Sequence, residues 1–170
     1  MYINSNSLHS YKIYTHTKST TLLKEGYYMD TNTELLNYIF QNSQMGIQTI
    51  GQILEIVDND SFKKQLESQL KEYREINQKA RNMLTDLGGD EKGISQMDKF
   101  KAYIMINMQT LTDKSASHIS EMLITGSTMG IIEATRKIKE YTNADKKIID
   151  LMKDLLKFEE KNVESLKEFL

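Results

Sequence analysis

The side chains that could bind a metal ion or move a proton are few, and they lie on segments with helical periodicity. His118 and Glu121 stand three residues apart, so a helix would place the imidazole and the carboxylate on one face. Such a pair could share a metal ion or exchange a proton. A second set of carboxylates flanks the apolar positions of two other segments and could hold one cation between helices: Glu72, Glu75, Glu159 and Glu160.

The simpler interpretation of both sets is a solvated surface. A histidine near the start of a helix is usually partly exposed, and rows of Glu and Lys along bundle helices usually face water. We therefore predict that these side chains lie at the surface and that none of them is catalytic. The alternative is a metal site that draws on His118, Glu121, Glu72, Glu75 and Glu160.

Composition excludes several classes of function. The chain has 170 residues, enough for one domain with one core, and contains no Cys, Pro or Trp. Without cysteine there are no disulfides, thiolate metal sites or cysteine nucleophiles, and a cytoplasmic location is expected. A net charge of −2 with interleaved acids and bases predicts no nucleic-acid partner. No apolar run approaches the roughly 18 to 20 residues of a membrane-spanning helix.

Residues 1–28 differ from the rest because they lack helical periodicity and are rich in Ser, Thr and Tyr. The codons for Lys24, Glu25 and Gly26 can spell a bacterial ribosome-binding sequence, and two tyrosine codons separate them from Met29. We expect Met29 to be the natural start, with the first 28 residues a translated leader or a disordered tail. His118 is then the one histidine of the domain.

After Met29, apolar residues recur at alternating spacings of three and four, which predicts helices. Their expected ranges are 32–57, 61–87, 96–111, 115–140 and 144–169. Asp60 or Ser61 is predicted to cap the second helix, and Gly88 with Gly89 to end it. One helix from residue 96 to 141 would be too long to pair with the second, so we expect a break at 112–115 and a crossover at 96–111.

The chain also repeats itself. Ser43-Gln44-Met45-Gly46-Ile47 returns as Ser127-Thr128-Met129-Gly130-Ile131, and each copy is followed by a segment with matching landmarks. The matched pairs are Leu66 with Leu151, Leu70 with Leu155, Tyr73 with Phe158, Glu75 with Glu160, and Asn77 with Asn162. This duplication predicts two equivalent helical hairpins, with Gly46 and Gly130 facing each other near a pseudo-two-fold axis.

Three segments of the sequence resemble an uncharacterised family of bacterial ferritin-like domains. They are Met45-Gly46-Ile47, Gln69-Leu70-Lys71-Glu72-Tyr73, and the stretch from Thr112 to Gly126 that contains Asp113-Lys114-Ser115, His118-Ile119 and Glu121-Met122-Leu123-Ile124. The resemblance spans residues 33–170. It implies an all-α, ferritin-like four-helix bundle of two hairpins joined by a helical crossover, and loosely a role in stress or dormancy.

A ferritin-like di-iron centre needs a Glu from each of two helices and a Glu-x-x-His from each of the other two. The first predicted helix has only Glu34 and Glu55, both at its ends, and the duplicated helices place Tyr, Phe and Asn on their seams. We therefore expect a non-catalytic structural or protein-interaction module without a cofactor. The alternative is a metal-binding or di-metal oxidase-type protein that uses iron or manganese.

A bundle with a single histidine is also similar to histidine phosphotransfer domains, which gives a second alternative. Those domains place a Lys and a Gly just after the histidine, whereas Ser120, Glu121 and Met122 follow His118 here. Glu121 would repel a phosphoryl group. Finally, the segment 102–108 is apolar on all sides, so we expect it to pack against the bundle or to form a homodimer contact; a protein partner is the other expectation.

Overall fold

The computed structural model describes residues 31–91, 102–104 and 112–170, and all regular structure in these ranges is helical. The prediction of an all-α protein is therefore confirmed. The predicted leader and most of the predicted crossover helix lie outside the described residues. The long helices are α1 (residues 31–54), α2 (Asp60–Asp86), α3 (Ala116–Glu140) and α4 (Lys146–Lys167), and residues 102–104 are also helical.

The helix ends follow ordinary capping chemistry. The N-cap of α2 is Asn59, not the predicted Asp60 or Ser61, because the Asn59 side chain accepts a hydrogen bond from the Phe62 N–H at 2.9 Å. After α2, Gly88 adopts a φ of +66°, a left-handed conformation that glycine reaches without strain, and the chain leaves the helix there. Ser115 caps α3 by accepting from the His118 N–H.

Contacts at one end of the bundle fix the helix directions. The start of α1 meets the start of α4, where the Asp145 N–H donates to Asn32 Oδ1 at 2.8 Å. It also meets the end of α3, where Tyr141 Oη donates to Glu34, and the chain just after α2, where Asn37 Nδ2 donates to the Asp90 carbonyl. Thus α2 and α3 run parallel to each other and antiparallel to α1 and α4.

Because α2 and α3 are parallel, the connection between them must be long. Because α2 ends where α3 also ends, the chain between them must return along the whole bundle, about 40 Å for a helix of the length of α2. Residues 102–104 lie on that route and touch α3: Tyr103 Oη donates to the Met122 carbonyl, and Ile104 is 8% exposed. Of the predicted apolar segment 102–108, residues 105–108 lie outside the described residues.

One hydrophobic core receives side chains from all four long helices. The three apolar pairs among the predicted landmarks lie in it. Of these, Tyr73 of α2 and Phe158 of α4 pack edge to face, with ring centroids 4.7 Å apart. Helix α1 is unusual because residues 35–54 carry no charge, and several of its polar residues are buried as well. A helix surrounded on most sides has no need of a charged face. One of its buried amides, Asn42, lies beside the candidate site.

Candidate functional site

A buried hydrogen bond between Tyr73 and Glu159 lies in the middle of the bundle. Tyr73 Oη of α2 donates to Glu159 Oε1 of α4 at 2.8 Å, and the two residues are 6% and 2% exposed. No charge is expected in such a place unless it is compensated, since moving a carboxylate out of water is costly. Burial of Glu159 therefore couples its protonation to the fold.

Burial sets the protonation of this pair. Desolvation raises the pKa of Glu159 to about 7, although hydrogen bonds from Ser127 and Tyr73 act in the lowering direction. Desolvation, together with the nearby Glu159, raises the pKa of Tyr73 well above its ordinary value. At neutral pH the Tyr73 hydroxyl therefore remains a donor, while Glu159 lies near the midpoint of its titration.

Glycine makes room for this pair. A Cβ added at Gly46 would lie 2.5 Å from Cζ of Tyr73, closer than any real Cβ contact, so the ring packs directly on the α1 backbone. At Gly130 of α3 the nearest atoms to such a Cβ are Asn42 Nδ2 at 3.1 Å and Glu159 Cδ at 3.9 Å. The predicted glycine–glycine contact is wrong: each glycine accommodates side chains from other helices.

A second buried polar contact joins α1 and α2. Asn77 of α2 donates to the Phe40 carbonyl and to Ser43 Oγ, both at 3.0 Å, and Ser43 in turn donates to the Ile39 carbonyl. All of these groups are buried, and the matching Asn162 of α4 is 3% exposed. The two asparagines thus belong to the core. Asn77 reaches the Phe40 carbonyl of α1 because the neighbouring Ser43 side chain is small.

The predicted metal-ligand candidates do not come together. His118, Glu121, Glu75 and Glu160 are exposed, and Glu72 is half-buried with a carboxylate oxygen 3.9 Å from Lys161 Nζ. Within the described ranges no three His, Asp or Glu side chains approach closely enough to hold a metal ion. The prediction that Glu159 lies at the surface with its neighbours is wrong, because Glu159 faces the core and Glu160 faces water.

The sequence carried a signal for the residue that was missed. Leu155, Glu159, Asn162 and Leu166 recur at spacings of four, three and four, which puts Glu159 on the buried stripe of α4. Gln69 occupies the same kind of position between Leu66 and Tyr73 on α2, and it is 3% exposed. Asn42 of α1 is 2% exposed. For Gln69 of α2 and Glu159 of α4, the sequence signal of burial was thus a polar residue at a position where the helical spacing calls for an apolar one.

The donor set in the middle of the bundle does not fit a di-metal centre. Such a centre needs four carboxylates and two imidazoles pointing inward at one level. Here the described helices bring a single carboxylate, Glu159, to the level of Tyr73, and its other polar neighbours there are hydroxyls and amides. A hard divalent cation prefers several anionic oxygens, so the residues present do not match the group that a ferritin-like fold implies.

Comparisons of the chain with protein families, with curated proteins and with solved structures each find no match. The chemistry of the site follows from its geometry. What that geometry defines is an all-helical protein with a buried Tyr–Glu pair in its core. In the part of the chain that the structure describes, no helix has the length and apolar character required to cross a membrane.

Removing the Tyr73 hydroxyl tests how much the pair contributes to stability. We expect Tyr73→Phe to lower the free energy of unfolding by about 1–3 kcal/mol, because Glu159 Oε1 loses its buried donor. The loss should be larger above pH 7, where Glu159 is ionised, and the pKa of Glu159 should rise further. Urea unfolding at pH 5 and pH 8 measures both effects.

Tyr141→Phe is the matched control for this substitution. Its hydroxyl also donates to a glutamate, Glu34 Oε2 at 2.9 Å, but this contact is exposed to solvent. An exposed contact of this kind contributes at most about 1 kcal/mol. Tyr141→Phe should therefore lower the free energy of unfolding by less than Tyr73→Phe does, and by the same amount at pH 5 and pH 8. Equal losses for the two variants would contradict the importance of the buried pair.

Proposed function

We propose that this protein is a non-catalytic helical bundle of ferritin-like topology that acts as a structural or protein-interaction module in the cytoplasm. The direction of the helices supports the topology: two antiparallel hairpins are joined by one connection that runs the length of the bundle, as in ferritin-like folds. A cysteine-free sequence suits a reducing compartment. The partner we expect is a second copy of the chain or another protein.

The main support for the proposal is the set of side chains that fill the centre of the bundle. Where a ferritin-like protein would place metal ligands, Tyr73 and Phe158 pack ring against ring and Gly46 receives the Tyr73 ring. Asn77 and Asn162 are buried beside them. Side chains in this arrangement fill the centre as a core does, and a pair of metal ions would require most of them to move.

The lack of access to the buried acid Glu159 supports the same proposal. Glu159 and Tyr73 are almost fully covered, and the cavity beside them measures about 20 Å³. A space of this size holds about one water molecule, whereas sites for organic substrates measure about 300–1,000 Å³. The group best suited to acid–base chemistry is thus closed to any larger substrate, which favours a role in the core over one in catalysis.

Metal analysis tests the proposal most simply. Untagged protein, purified without chelator and then incubated with excess Fe(II) or Mn(II) and desalted, should retain far less than one ion per chain by inductively coupled plasma mass spectrometry. The physical reason is the lack of converging carboxylates in the described bundle centre. Retention of about two ions per chain would contradict the proposal and favour a di-metal protein.

A double variant distinguishes metal bound at the centre of the bundle from metal bound at its surface. His118→Ala with Glu121→Ala removes two exposed candidates and leaves the core intact. Metal that this variant no longer retains would be bound at the surface of α3, so the non-catalytic core would stand. Metal that the variant retains fully would have to be held elsewhere, and Glu159→Gln would then show whether the core binds it.

A further inference from the structure

A small cavity lies beside the Tyr73–Glu159 pair, where the long helices meet. Its volume is about 20 Å³, and the side chains that line it include Asn42 and Thr49 of α1, Gln69 of α2, Ser127 of α3 and Glu159 of α4. Ile104, from the segment between α2 and α3, lines it as well. The cavity is thus bounded by polar groups on several helices and is large enough for about one water-sized molecule.

Three polar atoms of the residues that line this cavity lack a hydrogen-bond partner in the protein. They are Asn42 Oδ1, Gln69 Nε2 and Glu159 Oε2. Their residues are 2%, 3% and 2% exposed, so bulk water does not satisfy them. Buried polar atoms in native proteins almost always have a partner, so unpaired atoms on three residues that line one cavity call for a small polar guest.

We propose that this cavity binds a single water molecule, which accepts a hydrogen bond from Gln69 Nε2 and donates to Asn42 Oδ1 and to Glu159 Oε2. Gln69 Nε2 is a donor, and Asn42 Oδ1 and Glu159 Oε2 are acceptors. One water molecule can accept one hydrogen bond and donate two, so it satisfies all three atoms. The guest therefore joins α1, α2 and α4 through one point. The inference concerns the core and does not depend on the proposed function.

The chemistry of the lining favours water over a cation. A bound cation accepts no hydrogen bond, so the Gln69 N–H would remain unpaired against it. Burial also raises the pKa of Glu159 to about 7, so that much of the carboxyl is neutral at neutral pH. The groups that face Glu159 and can titrate are Tyr73 of α2 and Tyr38 of α1, and both have raised pKa values, so neither supplies a charge.

The bound water extends the pair into a chain of hydrogen bonds. Tyr73 donates to one oxygen of Glu159, and the water donates to the other, so both oxygens of an ionised Glu159 have a donor. The same water donates to Asn42 and accepts from Gln69. This chain gives hydrogen-bond partners to Asn42, Gln69 and Glu159, whose unpaired atoms would otherwise weaken the core.

Direct observation of the water is the primary test. Water-selective nuclear Overhauser NMR on protein labelled with ¹⁵N in its side-chain amides should show transfer from a long-lived water to the Gln69 amide and not to the exposed Gln78 amide. A crystal structure at about 1.2 Å should show one density peak within hydrogen-bond distance of all three atoms. An empty cavity, or an anomalous peak there after rubidium replaces sodium, would overturn the proposal.

The sign of a stability change gives a second, independent test. If the water is present, Gln69→Leu removes its donor, and the midpoint of thermal unfolding, Tm, should fall by about 4 °C. If the cavity is dry, the same substitution removes an unpaired amide and should leave Tm unchanged or raise it. Gln78→Leu, on the exposed face of α2, is the control and should change Tm little. An unchanged or higher Tm for Gln69→Leu would contradict the bound water.

Discussion

Replacing Gly46 by alanine should destabilise the protein by about 2–3 kcal/mol, although alanine is the better helix former. The new Cβ would lie 2.5 Å from Cζ and 2.6 Å from both Cε atoms of Tyr73, so the whole ring has to move. That ring is held by its edge-to-face contact with Phe158 and by its hydrogen bond to Glu159. Chemical unfolding of the wild type and the variant measures the loss.

Gly51→Ala provides a control on the same helix. Nothing lies within 4 Å of a Cβ at Gly51, so the substitution should stabilise α1 by up to about 1 kcal/mol. A double-mutant cycle with Tyr73→Leu completes the test, because Gly46→Ala should cost much less once the ring is gone. Opposite signs at the two glycines are expected, and a neutral Gly46→Ala would show that the ring does not occupy this space.

The second large effect is a dependence of stability on pH that Glu159 causes. In the folded state its pKa is about 7, against 4.5 in the unfolded chain, so between these values the folded state binds more protons. The contribution of Glu159 to stability is therefore greatest below about pH 4.5 and is lost as the pH rises through 7. At about 1.4 kcal/mol per pKa unit, the full change is about 3 kcal/mol.

Glu159→Gln isolates this contribution because the amide stays neutral and its oxygen still accepts from Tyr73. The variant and the wild type should have similar unfolding free energies near pH 4.5, and the variant should be more stable by up to about 3 kcal/mol at pH 8. Glu160→Gln changes the exposed neighbour and should leave the pH profile of the wild type unchanged. Parallel profiles for all three proteins would refute a buried, perturbed Glu159.

Much of the fold was accessible from the sequence because it depends on local periodicity. The buried faces of α2 and α4, the core positions of Tyr73 and Phe158, and the stop at Gly88 follow from spacing and from the conformational freedom of glycine. Capping was less certain, since Asn59 competes with Asp60 for the same role, and the short side chain of either can cap a helix.

The centre of the site was less accessible because it depends on which of two adjacent residues turns inward. Glu159 and Glu160 are identical in type, and the rotation of α4 by a fraction of a turn decides which one is buried. Periodicity favours burial of Glu159, whereas the general tendency of glutamate to face water favours exposure of both. The chemical partner of Gly46 likewise could not be read from the repeat, since Tyr73 reaches it from another helix.

The measurement that tests the central claim most directly is an NMR titration of the Glu159 side chain. With ¹³C-labelled glutamate, and Glu159→Gln to assign the signal, the Glu159 carboxyl should titrate near pH 7 because it is buried against Tyr73. Excess Mn²⁺ should leave this signal sharp, because the described core brings no second carboxylate to it. A midpoint near 4.5, or selective broadening by Mn²⁺, would contradict a closed and metal-free polar core.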